Sequence, residues 1–359
     1  MKNFNKISGI IAGVAVSALA LTGCGSADQG ASGSKSEGAS GSAAASADSW
    51  EAPEGLKGEI SYYSANPQGL TDDLVAAFED KTEVKVNVFA GSTGEVTAKL
   101  KAEEGNPQAD VVYLASWTAA TKQDKAGVLE EFKPEGVDAI HSNWVSETGT
   151  FNGRDGSALA LVTNTDVVDE VPEDWEDLTD EKYKDKVIMP DPRESGTAGD
   201  LVAGMVANFG KDKTWELFDK LFDNGMTVQG ANGPALDAVT SGSKGVVFGG
   251  VDYSAYKAQS KGEPLEVKIA KSGTTVSPRP VMVLKDSDNK EAAEAFVNFM
   301  FSDEAQAISA DNNMIPANAE VSPANGPELK DIKQLSEDWD EIVANSKDVK
   351  EEFVKRYLK

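Results

Sequence analysis

The 359-residue chain holds one cysteine, Cys24, one histidine, His141, and only 34 basic side chains against 60 acidic ones, a net charge of −26. A single thiol excludes a disulfide within the chain, so the fold rests on packing. One cysteine and one histidine also exclude a His/Cys zinc site. A Ser-His-Asp triad would have to use His141, which stands in a polar stretch with no nucleophile motif beside it and reads as an exposed loop residue. Gly91-Ser-Thr-Gly-Glu95 lacks the Gly-Lys-Ser/Thr ending of a nucleotide-cradling loop. In so acidic a chain carboxylate pairs occur everywhere, and none marks acid/base catalysis. The expectation is therefore a protein that is not an enzyme and needs no cofactor. The scarcity of basic charge repels phosphate backbones and anionic headgroups over a Debye length, which excludes a nucleic-acid partner or a peripheral membrane patch. After the N-terminus no apolar run approaches the roughly 20 residues needed to span a bilayer.

What the N-terminus does have is Lys2 and Lys6, an apolar run over residues 7–21, and Leu21-Thr-Gly-Cys24. This is the anatomy of an export signal, and its last four residues resemble the lipobox of bacterial lipoproteins. Residues 1–23 are expected to be a cleaved signal and Cys24 the lipidated residue; an ordinary signal with an incidental cysteine, or an uncleaved helix, stays open. Residues 25–49 are mostly Gly, Ser and Ala with a few charges and no large apolar residue before Trp50, too poor in apolar surface to offset their ordering entropy, and residues 24–52 are expected to tether the body flexibly to the membrane.

From residue 56 the pattern changes. Strands are expected at 60–63, 84–89 and 110–114, with helices at 70–78, from 96, and through 126. Strand, helix, strand, helix, strand in about 60 residues indicates βαβ units and a mainly parallel sheet. A second such region has strands at 158–162, 187–189, 245–248, 265–270 and 281–284. Its helices fall at 196–209, 213–222 and 253–260, and two more at 290–301 and 302–310. The charged tail carries Leu335, Trp339, Ile342, Val343, Phe353 and Tyr357 at spacings that predict two amphipathic helices. The expected architecture is α/β with two lobes: residues 53–158 plus 267–320, residues 159–266, and C-terminal helices over 321–359.

Small polar residues recur where strands give way to helices. Ser64 and Asn66 follow the first strand, Ser92, Thr93 and Gly94 precede the second helix, and Ser116 and Trp117 follow the third strand. Ser195, Gly196, Thr197 and Ala198 open a helix of the second lobe, and Asn232 and Gly233 another. Each puts hydroxyls and free N–H groups at a helix start, where about half a positive charge is available. Several starts converging at strand ends make an anion site without a basic protein.

Residues 60–78, Gly91-Ser-Thr-Gly-Glu95 and Gly105-Asn-Pro-Gln-Ala-Asp110 together resemble the N-terminal lobe of a group of ABC-transporter solute-binding proteins. That group includes the ferric-ion, 2-aminoethylphosphonate, phosphoglycerate and hexose-phosphate binders. Pro190-Asp-Pro-Arg-Glu-Ser-Gly-Thr-Ala198 resembles its second-lobe helix start, and residues 292–301 with Ser302-Asp-Glu-Ala-Gln306 its late helix pair. The resemblance covers residues 56–320. It implies a two-lobed periplasmic-binding-protein type II fold, each lobe a mainly parallel sheet flanked by helices, with the ligand in the cleft between them. It further implies a monomer that closes on a small solute and delivers it to the transmembrane subunits of an ABC permease, extracytoplasmic and touching the membrane only through its lipid.

Carried over position by position, the ferric ligands of the group fall near Asn66 or Pro67, at Ala115, and at Tyr253 and Ser254, so only Tyr253 is kept. Fe³⁺ needs several anionic oxygen donors; Tyr256, three residues on, leaves a rearranged tyrosine pair as the alternative. With the metal ligands gone and the hydroxyl and amide donors kept, the cleft suits a phosphonate or phosphorylated anion. The residues expected to hold it are Ser64, Asn66, Ser92, Thr93, Ser116, Trp117, Ser195, Gly196, Thr197, Asn232, Tyr253 and Arg279. Arg279 would pair bidentately with the anion, with Arg193 as a second candidate, Trp117 would stack on a sugar or face an ammonium, and Asp252 would take an amino group. An iron binder is the alternative within transport; an extracytoplasmic enzyme or sensor subunit on the same body is the alternative outside it.

Overall fold

A computed structural model describes residues 50–358; the signal segment, Cys24 and the tether through residue 49 lie outside the described residues. The first strand, β1 (Lys57–Ser64), is followed by α1 (Gln68–Glu79), which buries Leu70, Leu74 and Phe78 on one stripe. The strand β2 (Glu83–Ala90) pairs in parallel with β1, Ile60 opposite Val86, and as an edge strand it buries only Val84 and Val86. The helix α2 (Thr93–Ala102) leads to β3 (Val111–Tyr113), parallel on the other side of β1, and α3 (Trp117–Lys125) follows.

The chain then enters β4 (Asn152–Asn164), thirteen residues all buried. At about 3.3 Å per residue such a strand runs roughly 43 Å, long enough to serve two sheets. Its first half pairs antiparallel with β9 (Val276–Val283) and the short β10 (Ile315–Pro316), and its second half with β7 (Val246–Val251) and β8 (Leu265–Lys268). The parallel strands β5 (Val187–Met189) and β6 (Thr227–Val228) complete the second side, giving the order β2-β1-β3-β9-β4-β7-β5-β6. The outer strands are parallel; β4 and β9, which carry the chain from one lobe to the other and back, are antiparallel. Helices α4 (Gly196–Phe209), α5 (Lys211–Asp223), α6 (Asn232–Thr240) and α7 (Asp252–Gln259) cover the second lobe's strands. Helices α8 (Lys290–Met300) and α9 (Asp303–Asp311) cover the first.

The tail differs from the two helices expected. It forms one long helix, α10 (Trp339–Tyr357), because Trp339, Ile342, Val349 and Phe353 keep a helical spacing without a break. Leu335 stays outside it, where its N–H donates to Thr274 O. Trp339 packs on Trp117 of α3, with ring centroids 6.0 Å apart, while Phe353 packs edge-on against Phe218 of α5. One helix thus touches elements of both lobes and lies along α4 between them.

Candidate functional site

The first turns of five helices face one cleft of about 720 Å³ between the lobes. From the first lobe come Asn66 and Pro67 ahead of α1, and Ser92 through Glu95 at the start of α2. From the second come Ser195 and Gly196 of α4, Asn232 and Gly233 of α6, and Tyr253 and Ser254 of α7. Local chemistry fixes these starts. Ser92 accepts the Glu95 N–H while its own N–H donates to Glu95 Oε2 at 2.7 Å, a reciprocal cap that occupies the Glu95 carboxylate. Ser195 accepts the Ala198 N–H at 3.1 Å and donates to Asn232 Oδ1 at 2.8 Å, tying the starts of α4 and α6 together. Arg193, at the cleft edge, is held by the carboxylate of Asp191 through Nε and Nη2. The cleft wall is therefore mostly hydroxyls, amides and backbone N–H groups at the positive ends of helices.

Arg279 is not on that wall. It lies inside β9 with 1% of its surface exposed, donating from Nε to Asn66 Oδ1 at 2.5 Å, from Nη1 to Ser157 Oγ and from Nη2 to Ala65 O. Its guanidinium sits 5.1 Å from the centre of the Tyr253 ring, and Nε is 3.9 Å from Asp155 Oδ1. It lies one layer beneath the cleft, against Asn66 and Tyr253, and not on the wall where the direct bidentate contact expected from the sequence would be made.

Five other expected residues, and the alternative Tyr256, also lie away from the wall. Ser64 is fully buried and shares a hydrogen bond with Thr71, and Thr197 is buried behind Ser195 and Asn232. Ser116 caps α3 and donates to Asp200 Oδ1 at 3.0 Å. The Trp117 ring packs in the core against Phe151 and Trp339, because an indole at a helix start finds more apolar area inside than in a polar cleft. Asp252 is buried with Oδ1 accepting the N–H groups of Ala158 and Tyr253, so it presents no carboxylate to an amine in the cleft. Tyr256 packs its ring against Gly326, away from the cleft that Tyr253 lines, so the rearranged tyrosine pair is not assembled there. Among the described residues no three His, Cys, Asp or Glu side chains gather as a metal site. His141 is half-buried, edge-on to Trp144 at 4.8 Å, and not the exposed loop residue expected.

The sequence reading did not single out Glu194 and Pro234 on the wall, or Arg154, Asp155 and Ser157 beneath it. Asn152-Gly-Arg-Asp-Gly156 carries the signature of a turn, which concealed a buried strand.

The lobes touch in this structure. The Gly94 N–H of α2 donates to Glu194 O at 3.1 Å. Asp200 of α4 accepts Ser116 Oγ on one oxygen and Ser277 Oγ of β9 on the other, at 3.0 and 2.9 Å. Burial pushes the Asp200 carboxyl up to about 6, against the lowering effect of the Thr118, Ser277 and Ser116 hydroxyls, and burial likewise pushes Asp252 up to about 7. The folded state holds these two protons more tightly than the unfolded chain, where aspartate ionises near 3.9. Their contribution to stability is thus complete below about pH 4 and is lost as pH rises through about 6 and 7. Asp252→Asn keeps an oxygen for both N–H donors and removes the titration. Its melting temperature should fall less between pH 5 and pH 8 than that of the wild type. Parallel melting curves for the two proteins would contradict the assignment.

Residues 106–345 match the family described as bacterial extracellular solute-binding protein. The chain is 26% identical over 275 residues to iron uptake protein A1 of Synechocystis, covering 72% of this chain and 75% of that one. It is 24% identical over 320 residues to a Salmonella typhi protein provisionally named as a 2-aminoethylphosphonate-binding periplasmic protein, covering 82% and 91%. Among solved structures, the periplasmic binding protein AfuA from Actinobacillus pleuropneumoniae, with exogenous fructose-6-phosphate bound, superimposes with a TM-score of 0.78. The two share 24% identity, over 84% of this chain and 99% of that one.

Proposed function

The chain belongs to the bacterial extracellular solute-binding protein family, and from that premise we propose that it captures a small phosphonate or phosphorylated anion for an ABC importer. In this reading it works outside the cytoplasm, anchored by lipid on Cys24, and is a monomer that hands its solute to the permease. The proposed binding residues are those of the cleft wall, Asn66, Ser92, Thr93, Ser195, Gly196, Asn232 and Tyr253, with Arg279 orienting Asn66 from below.

The observation that carries the reading is the convergence of five helix starts on a wall where Glu95 is engaged by its own cap and Arg193 by Asp191, leaving the exposed Glu194 carboxylate at the rim as the one acidic group of the wall with neither a cap nor an ion-pair partner among the described residues. Such a wall offers hydroxyl and amide donors at the positive ends of helices, which favours a solute bearing several acceptor oxygens and negative charge. The names of the Salmonella relative and of the ligand in AfuA point the same way. Donors on both lobes would satisfy opposite sides of one ligand, so binding would favour the closed arrangement by its differential affinity. The name of the Synechocystis relative, together with the Tyr253 phenol on the wall, supports ferric iron as the second reading.

A thermal-shift panel of purified protein against 2-aminoethylphosphonate, hexose phosphates, phosphate, ferric citrate and spermidine separates these readings. A ligand at a hundred times its Kd stabilises by about 2.7 kcal/mol, so a true solute raises the melting temperature by several degrees. The expected responders are the phosphonate and the phosphorylated compounds, with the shift lost in Ser195→Ala/Asn232→Ala. A shift with ferric citrate alone would replace the anion reading with the iron one.

A further inference from the structure

Beside the cleft lies a second, smaller cavity of about 140 Å³. Thr93, Gly94, Arg193, Glu194 and Gly196 form walls common to both, and the Gly94–Glu194 backbone hydrogen bond runs among them. The cavity's other walls come from three separate helices: Thr118 and Lys122 of α3, Asp200 of α4, and Lys350 of α10.

Its electrostatics are unusual for a chain of net charge −26. Lys350 is half-buried and Lys122 exposed, and among the described residues neither has a carboxylate oxygen within 4.0 Å. Burial, and next the nearby charge of Lys122, hold the Lys350 ammonium below the usual lysine range. A buried cation without a partner costs free energy unless something compensates it. Of the two acids lining the space, Asp200 already accepts from Ser116 and Ser277 on its two oxygens. One further donor is unspent: the Thr93 hydroxyl, 7% exposed, has no hydrogen-bond partner, whereas the Thr118 hydroxyl faces the Asp200 carboxylate and favours its ionised form. One water needs roughly 10–15 Å³ of such space, so a cavity of about 140 Å³ has room for several waters or one tetrahedral oxyanion.

We propose that this side chamber is a second anion site, distinct from the solute cleft, which takes a free tetrahedral oxyanion between Lys122 and Lys350 with Thr93 as donor. Lys122, Thr118 and Thr93 belong to first-lobe helices, while Lys350 stands on α10, which packs along α4 and α5 of the second lobe. Since α10 also packs on α3 of the first lobe, the contact that depends on the approach of the lobes is the one from Thr93 of α2 to an anion held on Lys350. It therefore tightens solute binding in the cleft, and by linkage the solute tightens the anion to the same extent. The proposal does not depend on which solute the cleft takes.

The test titrates sulfate calorimetrically, at low ionic strength, into the wild type, Lys122→Gln/Lys350→Gln and Ser195→Ala/Asn232→Ala. The expected result is at least a tenfold loss of sulfate affinity in the lysine variant and none in the cleft variant. The lysine variant should keep its melting temperature without anion, since it loses only two unpaired charges; Lys122→Gln alone gives the same comparison should the double variant not fold. Equal sulfate affinity in the wild type and the lysine variants would overturn the proposal, as would no sulfate binding by the wild type at millimolar concentration. Loss in the cleft variant alone would place sulfate in the solute cleft and overturn it too. An anionic group of the solute reaching into the chamber is distinguished by a second arm: sulfate then competes with the solute instead of enhancing its affinity, and the free-ion proposal falls.

Discussion

Arg279→Ala is expected to lower the free energy of unfolding by about 3 kcal/mol, the lower end of the roughly 3–5 kcal/mol lost when one member of a buried ion pair is removed. Arg279 is 1% exposed in the central strand β9, and its removal strands three acceptors that nothing else reaches from below: Asn66 Oδ1, Ala65 O and Ser157 Oγ. It also leaves Asp155 Oδ1, which accepts no hydrogen bond, without the guanidinium 3.9 Å away. The lower end applies because Asp155 keeps a second partner. Arg154 donates to its Oδ2 at 3.0 Å and Ser309 at 2.9 Å, so the variant retains one buried pair of opposite charge rather than a bare carboxylate. Arg279→Lys supplies charge without the planar fork and should recover more of the stability than of the solute affinity, since a single ammonium cannot hold Asn66, Ala65 and Ser157 together. Denaturant unfolding of the three proteins measures the first quantity and calorimetry with the responding solute the second. A loss under about 1 kcal/mol in Arg279→Ala, the size of an ordinary surface ion pair, would show that the guanidinium is not the keystone of the cleft floor.

The same residue shows where the sequence was readable and where it was not. The first five elements follow from alternation and helical spacing: Ile60 and Tyr62 face one side of β1, and Leu70, Leu74 and Phe78 make one stripe on α1. The helix starts at Ser92 and Ser195 were legible because a cap is a local interaction over three residues. The two strands that join the lobes were only partly readable. Residues 152–157 of β4 read Asn-Gly-Arg-Asp-Gly-Ser and residues 277–280 of β9 read Ser-Pro-Arg-Pro, both of which have the composition of turns. They are strands because each lies between others in the sheet, and because Asp155 pairs with Arg154 beside it and faces Arg279 across the strand register. A polar residue that is buried only in company with its partners leaves no mark in the hydrophobic pattern of its own segment. Trp117 misled in the opposite direction: its place beside a helix cap suggested the cleft, but α10, more than 200 residues later, supplies Trp339 to cover it.

Gly196→Val is expected to weaken solute binding by up to about 100-fold while leaving the ligand-free protein folded. A Cβ at position 196 would lie 2.7 Å from Ser116 Cβ and 2.9 Å from Thr93 Oγ1, atoms of the first-lobe helices α3 and α2, whereas Gly196 opens α4 of the second lobe. The clash therefore acts on the approach of the lobes and not on either lobe's own core. Overpacking of this kind costs typically 1–3 kcal/mol, and at 1.4 kcal/mol per tenfold that is roughly a 5- to 150-fold penalty on the closed arrangement. Valine belongs near the upper figure because its branched Cβ adds two further methyl groups to a space that cannot take the first, and Ser116 is itself fixed by its bond to Asp200. Apparent affinity falls in proportion to the population of the competent state, so Gly196→Ala should fall between the wild type and the valine variant. Gly105→Val is the control, since nothing lies within 4 Å of the Cβ it would add. Small-angle scattering reads the conformation directly: the wild type should become more compact on adding the responding solute, and Gly196→Val should not. Should Gly196→Val bind as tightly as the wild type and contract as much, the contact of α4 with α2 and α3 would not be what closes over the solute, and closure would have to be sought elsewhere along the cleft.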